Sequence, residues 1–162
     1  MADEIKQAKA KEVYDTLCEL LDEMELHYTK DDEDAYDGNL VLRFTMAGDD
    51  LPMQFIFVID PDRQLIRVMS PLPFTTPEEK RLDMAIAICV ASRGLPDGSF
   101  DYDISDGTVT FRQTVSFRES KIGKALFLYL LHWSNNIVDR YNDRLFAVSK
   151  GMLSLKDLID AE

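Results

Sequence analysis

Carboxylates are the chemistry-bearing side chains this sequence has in quantity, thirty in 162 residues, and Asp31, Asp32, Glu33, Asp34 and Asp37 crowd into one short segment. Oxygen-rich clusters of this kind suit hard cations such as Ca²⁺ and Mg²⁺. The spacing is wrong for an EF-hand loop: with Gly38 at the sixth position, Glu33, Ala35 and Asp37 take the first, third and fifth, and Phe44 stands at the twelfth, where a bidentate glutamate belongs. Asp101, Asp103 and Asp106 form a second group, but Gly107 falls at the seventh position counted from Asp101. The first group reads as a solvated acidic loop and the second as outward strand residues followed by a turn former, so no metal site is expected.

Other chemistry finds little support. His27 and His132 lack HExxH or comparable ligand spacing, and no serine sits in a GxSxG elbow. Gly123-Lys124 echoes the end of a phosphate loop, yet Arg118 stands where the earlier glycine should be and Ala125 where serine or threonine should follow. No catalytic or cofactor-binding residue is assigned, and no cofactor is expected. A small acidic metal-dependent hydrolase is the alternative, and it requires dispersed carboxylates to converge on folding.

The elements that would position any site follow from periodicity. Val13, Leu17, Leu20, Leu21 and Met24 share one helical face, predicting a helix from about Asp3 to Glu25. Leu40, Leu42, Phe44 and Met46 alternate as in a half-buried strand, PMQFIFVI from Pro52 reads as a central strand, and Asp60-Pro61-Asp62-Arg63 turns the chain into a third around Leu65 to Met69. Thr76-Pro77-Glu78-Glu79 has the form of a capping box opening a helix to about Arg93, with Gly94 in the left-handed conformation beyond it. FDYDISDGTVTFRQTVSF (residues 100–117) is a hairpin with Phe100, Tyr102 and Ile104 on one parity and Val109, Phe111, Val115 and Phe117 on another. A long helix then runs to about Val148, irregular near Asn135, and LSLKDLI forms a short closing piece. The expected fold is α+β in the order α-β-β-β-α-β-β-α, a mainly antiparallel sheet packed against helices in one domain over residues 1–162.

SPLPFTTPEEKRLDMAIAICVASRGLPDGSFDYDISDGTVTFR resembles the centre of the YbjN-type proteins, whose fold is similar to that of type III secretion chaperones. The likeness covers roughly residues 5 to 150 and rests on the Pro-started helix, the Leu-Pro-x-Gly-x-Phe connection and the Asp-Gly hairpin; Asp31 to Asp37 has no counterpart in it. What it implies is a non-enzymatic interaction module, chaperone-like or regulatory.

Composition points the same way. Eighteen basic residues leave a net charge of −12, which opposes general attraction to nucleic acid or anionic membranes and favours a protein partner. Cys18 and Cys89 form no CxxC motif, and the chain shows neither a leader pattern nor a membrane-length apolar run, so a reduced, cytoplasmic protein is expected. Two surfaces are candidates for contact. Arg43, Arg67 and Arg112, with Thr110 and Thr114, lie opposite the apolar parity of their strands, where they form either a solvated face with each arginine paired to a neighbouring acid or a basic patch for an acidic peptide. Met84–Ala91 and Ala125–Leu131 are apolar nearly all round their helices, so they are covered either within the chain, by one another or by the C-terminal piece, or by a partner chain or a homodimer with Phe127, Leu130 and Trp133 in its interface; a structural subunit of a larger assembly is a further alternative.

Overall fold

Alternating side chains divide this chain into a sheet with one covered face. The structure is a computed structural model and describes residues 2–31, 38–48 and 51–161. Its elements are α1 (Ala2–Glu23), β1 (Tyr28–Asp31), β2 (Leu40–Ala47), β3 (Pro52–Asp60), β4 (Leu65–Thr75), α2 (Arg81–Arg93), β5 (Ser99–Asp103), β6 (Thr108–Ser116), α3 (Lys124–Ser149) and α4 (Leu155–Asp160). The fold is α+β, with the six strands forming one antiparallel sheet in the order β1-β2-β3-β4-β6-β5.

The covered face carries Leu42 and Phe44 of β2, Phe55, Phe57 and Ile59 of β3, Ile66 and Val68 of β4 and Phe111 of β6, all buried with apolar residues from all four helices in one cluster. Aromatic rings link its parts: Phe44 stacks on Phe55 at 5.5 Å, Phe57 meets Phe127 of α3 at 6.0 Å, and Phe100 packs edge-on against Phe111 and Tyr141 at 5.2 and 5.6 Å. Among the described residues no helix is long and apolar enough to cross a membrane.

Several boundaries differ from expectation for identifiable reasons. β1 was not expected, because a four-residue strand with Thr29 and Lys30 exposed carries no apolar alternation. β4 continues through Pro71 and Pro73 to Thr75, and its register against β6 shifts between Pro71 and Thr75, a bulge of the kind that admits proline. The capping box does not form: a 3₁₀ turn at Glu78–Lys80 precedes α2, and neither Pro77 nor Lys80 caps through a side chain. Thr76 is instead drawn into the sheet, its N–H donating to the Gly107 carbonyl at 2.8 Å. Gly94 stays right-handed at φ −88°, whereas Gly98 (φ 75°) and Gly107 (φ 82°) are left-handed. Ile104 lies in the hairpin turn and is exposed instead of sharing the buried side with Phe100. α3 is continuous through Asn135. The closing piece is helical, opened by Ser154, whose hydroxyl accepts from the Asp157 N–H at 3.1 Å.

Candidate functional site

The other face of the sheet carries the candidate site. Its residues fall in register: Thr29, Arg43, Ile56, Met69, Arg112 and Ser99 form one row across all six strands, and Asp31, Val41, Val58, Arg67 and Thr114 form the next. Val41 and Val58 are buried but stand outside the helix-covered cluster, while Ile56 and Met69 are half-buried. The three arginines, Thr110 and Thr114 therefore share one surface, as their parity requires. Arg43 and Arg112 are three strand steps apart, about 14 Å at the usual strand spacing.

Each arginine has an aspartate beside it. Arg43 Nε donates to Asp31 Oδ2 at 2.6 Å, from the strand next to the edge onto the edge itself. Arg112 grips Asp101 with two nitrogens, Nε to Oδ2 and Nη2 to Oδ1 at 3.0 Å, mirroring that arrangement at the opposite edge. The hydrogen bonds it donates to Asp101 raise the Arg112 pKa above its ordinary value, outweighing partial burial. Arg67 Nη2 lies 3.9 Å from Asp60 Oδ2, and its Nε is buried without a hydrogen-bond partner. Asp60 is 2% exposed and accepts from the Arg63 backbone N–H and from Arg63 Nη1, both at 2.9 Å. Burial pushes the Asp60 carboxyl up, but those bonds and the charges of Arg63 and Arg67 outweigh it, leaving the pKa below the usual carboxylate value.

These pairs are those of a face whose arginines are matched by neighbouring acids, the other of the two expectations for this surface. Asp31 and Asp101 pair with Arg43 and Arg112, while Arg67 shares Asp60 with Arg63, so the surface offers an apolar centre flanked by ion pairs. A side chain laid on Ile56 and Met69 would be flanked by guanidinium–carboxylate pairs. The sheet edges differ as well. On β5, the outward Phe100 N–H is already taken by the Ser92 hydroxyl at 3.1 Å, which blunts that edge against strand addition.

The candidate interface on α3 is corrected. Phe127 and Leu130 are fully buried against the sheet, because α1 and α2 flank α3 and cover the sides that its all-round apolar sequence left open. Trp133 is half-buried and committed within the chain: its Nε1 donates to the Asp97 carbonyl at 2.9 Å and its ring stacks on Tyr129 at 6.4 Å. The surplus apolar surface lies on α2, where Leu82 is 70% and Ile86 41% exposed and Cys89, also exposed, continues the stripe at i, i+4, i+7.

One polar cluster escaped sequence reasoning. Gln113, 1% exposed on the covered face, donates to Asp97 Oδ2 at 2.8 Å and accepts from the Ser134 hydroxyl at 2.7 Å; the Tyr129 hydroxyl also donates to Asp97 Oδ2 at 2.9 Å. The available signal was Gln113 itself, a polar residue on the parity of Phe111 and Val115.

Of the acidic segment only Asp31 belongs to the described residues; Asp32, Glu33, Asp34 and Asp37 lie outside them. Among the described residues no three His, Cys, Asp or Glu side chains gather as metal ligands would. Compared with protein-family models and with curated proteins, the chain matches none.

Proposed function

We propose that this chain is a non-enzymatic protein-binding module, chaperone-like or regulatory, that receives its partner on the open face of the sheet and works as a homodimer. The observation that supports it most is the half-buried pair Ile56 and Met69 at the centre of a face that no helix of the described residues covers, held between Arg43–Asp31 and Arg112–Asp101. Such a surface selects an extended or helical segment by apolar contact, and the ion pairs set its orientation. The resemblance to YbjN-type proteins and secretion chaperones points to the same class. For the dimer, the stripe Leu82–Ile86–Cys89 on α2 replaces the α3 residues first considered, since a two-fold contact reuses one exposed patch on both copies. The two free thiols suit a reducing cytoplasm.

Affinity purification from native cells, with identification and stoichiometry of bound proteins, tests the reading. A specific partner captured by the wild type and lost from the folded Ile56→Lys, Met69→Lys double variant supports the open face. Undiminished capture by that variant rejects it, and a fixed stoichiometric complex of many subunits would mark a structural subunit instead. Light scattering over a dilution series tests the dimer: Leu82→Lys with Ile86→Glu should give a monomer, and a wild type that is already monomeric at high micromolar concentration removes the dimer from the proposal.

A further inference from the structure

β3 and β4 part company beside the central turns of α3. Their ladder runs from Asp60–Leu65 to Ile56–Met69, and beyond it the Ser70 hydroxyl donates to the Gln54 carbonyl at 2.9 Å, a side-chain tie past the end of the ladder. Proline explains the parting. Pro71 and Pro73 have no N–H to offer a neighbouring strand, and Pro52 opens β3 on the other side. The gap, backed by α3, is a cavity of about 170 Å³, more than ten times the smallest volume that admits a water molecule.

Its walls combine an apolar body with a polar end. Met53, Leu72 and Val138 supply the apolar part, with the proline rings beside them. The polar end comes from Asp139 and Asn142, three residues apart and so neighbours on α3. Asn142 is only 8% exposed, yet its amide is poorly held: Oδ1 is buried without a partner, and Nδ2 has only a long contact of 3.4 Å with Asp143. Nδ2, with no more than that long contact, is the atom that retains donor capacity for a ligand or ordered water at the cavity wall.

We propose that this cavity binds a small neutral aromatic molecule with one hydroxyl group, the phenol class, its ring against Met53, Leu72 and Val138 and its hydroxyl between Asp139 and Asn142. A hydroxyl fits because it both donates and accepts: O–H toward the Asp139 carboxylate, a lone pair toward the Asn142 Nδ2. A thioether wall favours an aromatic ring, since sulfur contacts ring edges well. An anion is disfavoured by Asp139 and by the net charge of −12.

Methyl and amide NMR titration of the full chain with phenol, and with benzene in parallel, tests the assignment. Phenol should give saturable shifts centred on Met53, Leu72 and Val138, with a dissociation constant of about 1 mM or tighter, as a seven-heavy-atom ligand allows. Asn142→Leu should weaken phenol about fivefold or more while leaving benzene unchanged, the loss expected for one buried hydrogen bond. Val138→Phe should fill the cavity and abolish both, and Asn142→Ala serves if the leucine variant does not fold. Absence of saturable shifts up to the solubility of phenol, benzene binding as tight as phenol, or binding indifferent to both substitutions would overturn the proposal.

Discussion

Arg112 and Gln113 are adjacent in β6 and point to opposite faces of one sheet, and their surroundings show what each face demands. Gln113, on the covered side, has both ends of its amide committed, to Asp97 and to Ser134, because no solvent is present to substitute for a lost partner. Arg112, on the open side, also has its partner in Asp101, but with both side chains more than a third exposed, water can replace either one. The same geometric completeness is a requirement on one face and a preference on the other. Polar groups on the covered face specify how α3 and the Asp97 segment dock; those on the open face leave the surface available.

Adjacent residues of β3 give the sharpest test. Phe57→Ala, on the covered face, should lose about 3–5 kcal/mol in chemical denaturation, and Ile56→Ala, half-buried on the open face, about 1 kcal/mol. Similar losses at the two positions would mean that something covers the open face too. Next in size is Gly107→Ala, which should cost more than about 2 kcal/mol, because φ is 82° and an added Cβ would press on the Thr76 carbonyl. Gln113→Met keeps the shape but strands the buried Ser134 hydroxyl and takes from Asp97 one of its two donors, and should cost about 1–3 kcal/mol, with a lowered melting temperature as the readout.

Asp60 sharpens the comparison through pH. Its folded pKa lies below the unfolded value, so its stabilisation is present above the unfolded pKa and is lost as pH falls through the folded one. The denaturation midpoint of the wild type should therefore fall below about pH 4, where ordinary aspartates titrate, and Asp60→Asn should show a shallower fall. An identical acid profile in the variant would mean that the Arg63 bonds do not hold the carboxylate charged. The smallest effect belongs to Arg112→Ala, about 0–1 kcal/mol and insensitive to which salt is added.

Most of the sheet was legible from sequence because burial on one face imposes a two-residue period, as in Leu42 and Phe44 or Val109 and Phe111. The placement of Arg43, Arg67 and Arg112 on one surface was legible for that reason, and which acids pair with them was not: Asp31 lies 12 residues from Arg43 and Asp101 11 from Arg112, so only strand order brings them together. Apolar character all round a helix was misleading for Phe127 and Leu130, since it reports that a segment is covered without saying by what. On α2 the outward Leu82 and Ile86 are exposed. The cavity beside Asn142 left a trace in Pro71 and Pro73, but its walls come from three elements that sequence spacing does not connect.

The insertion of β6 between β4 and β5 has a consequence for synthesis on the ribosome. β4 acquires its second neighbour only when Thr108–Ser116 has been made, after α2 and β5 have already emerged. At the usual pace of translation the delay from Thr75 to Ser116 is about 2–8 s, long compared with hairpin formation in microseconds. Throughout that interval a nascent β1–β4 sheet presents the outer side of β4 to other chains. The N–H that Pro71 lacks would face β3, so it does not guard that side, and the outer side of β4 stays open to strand addition until β6 arrives.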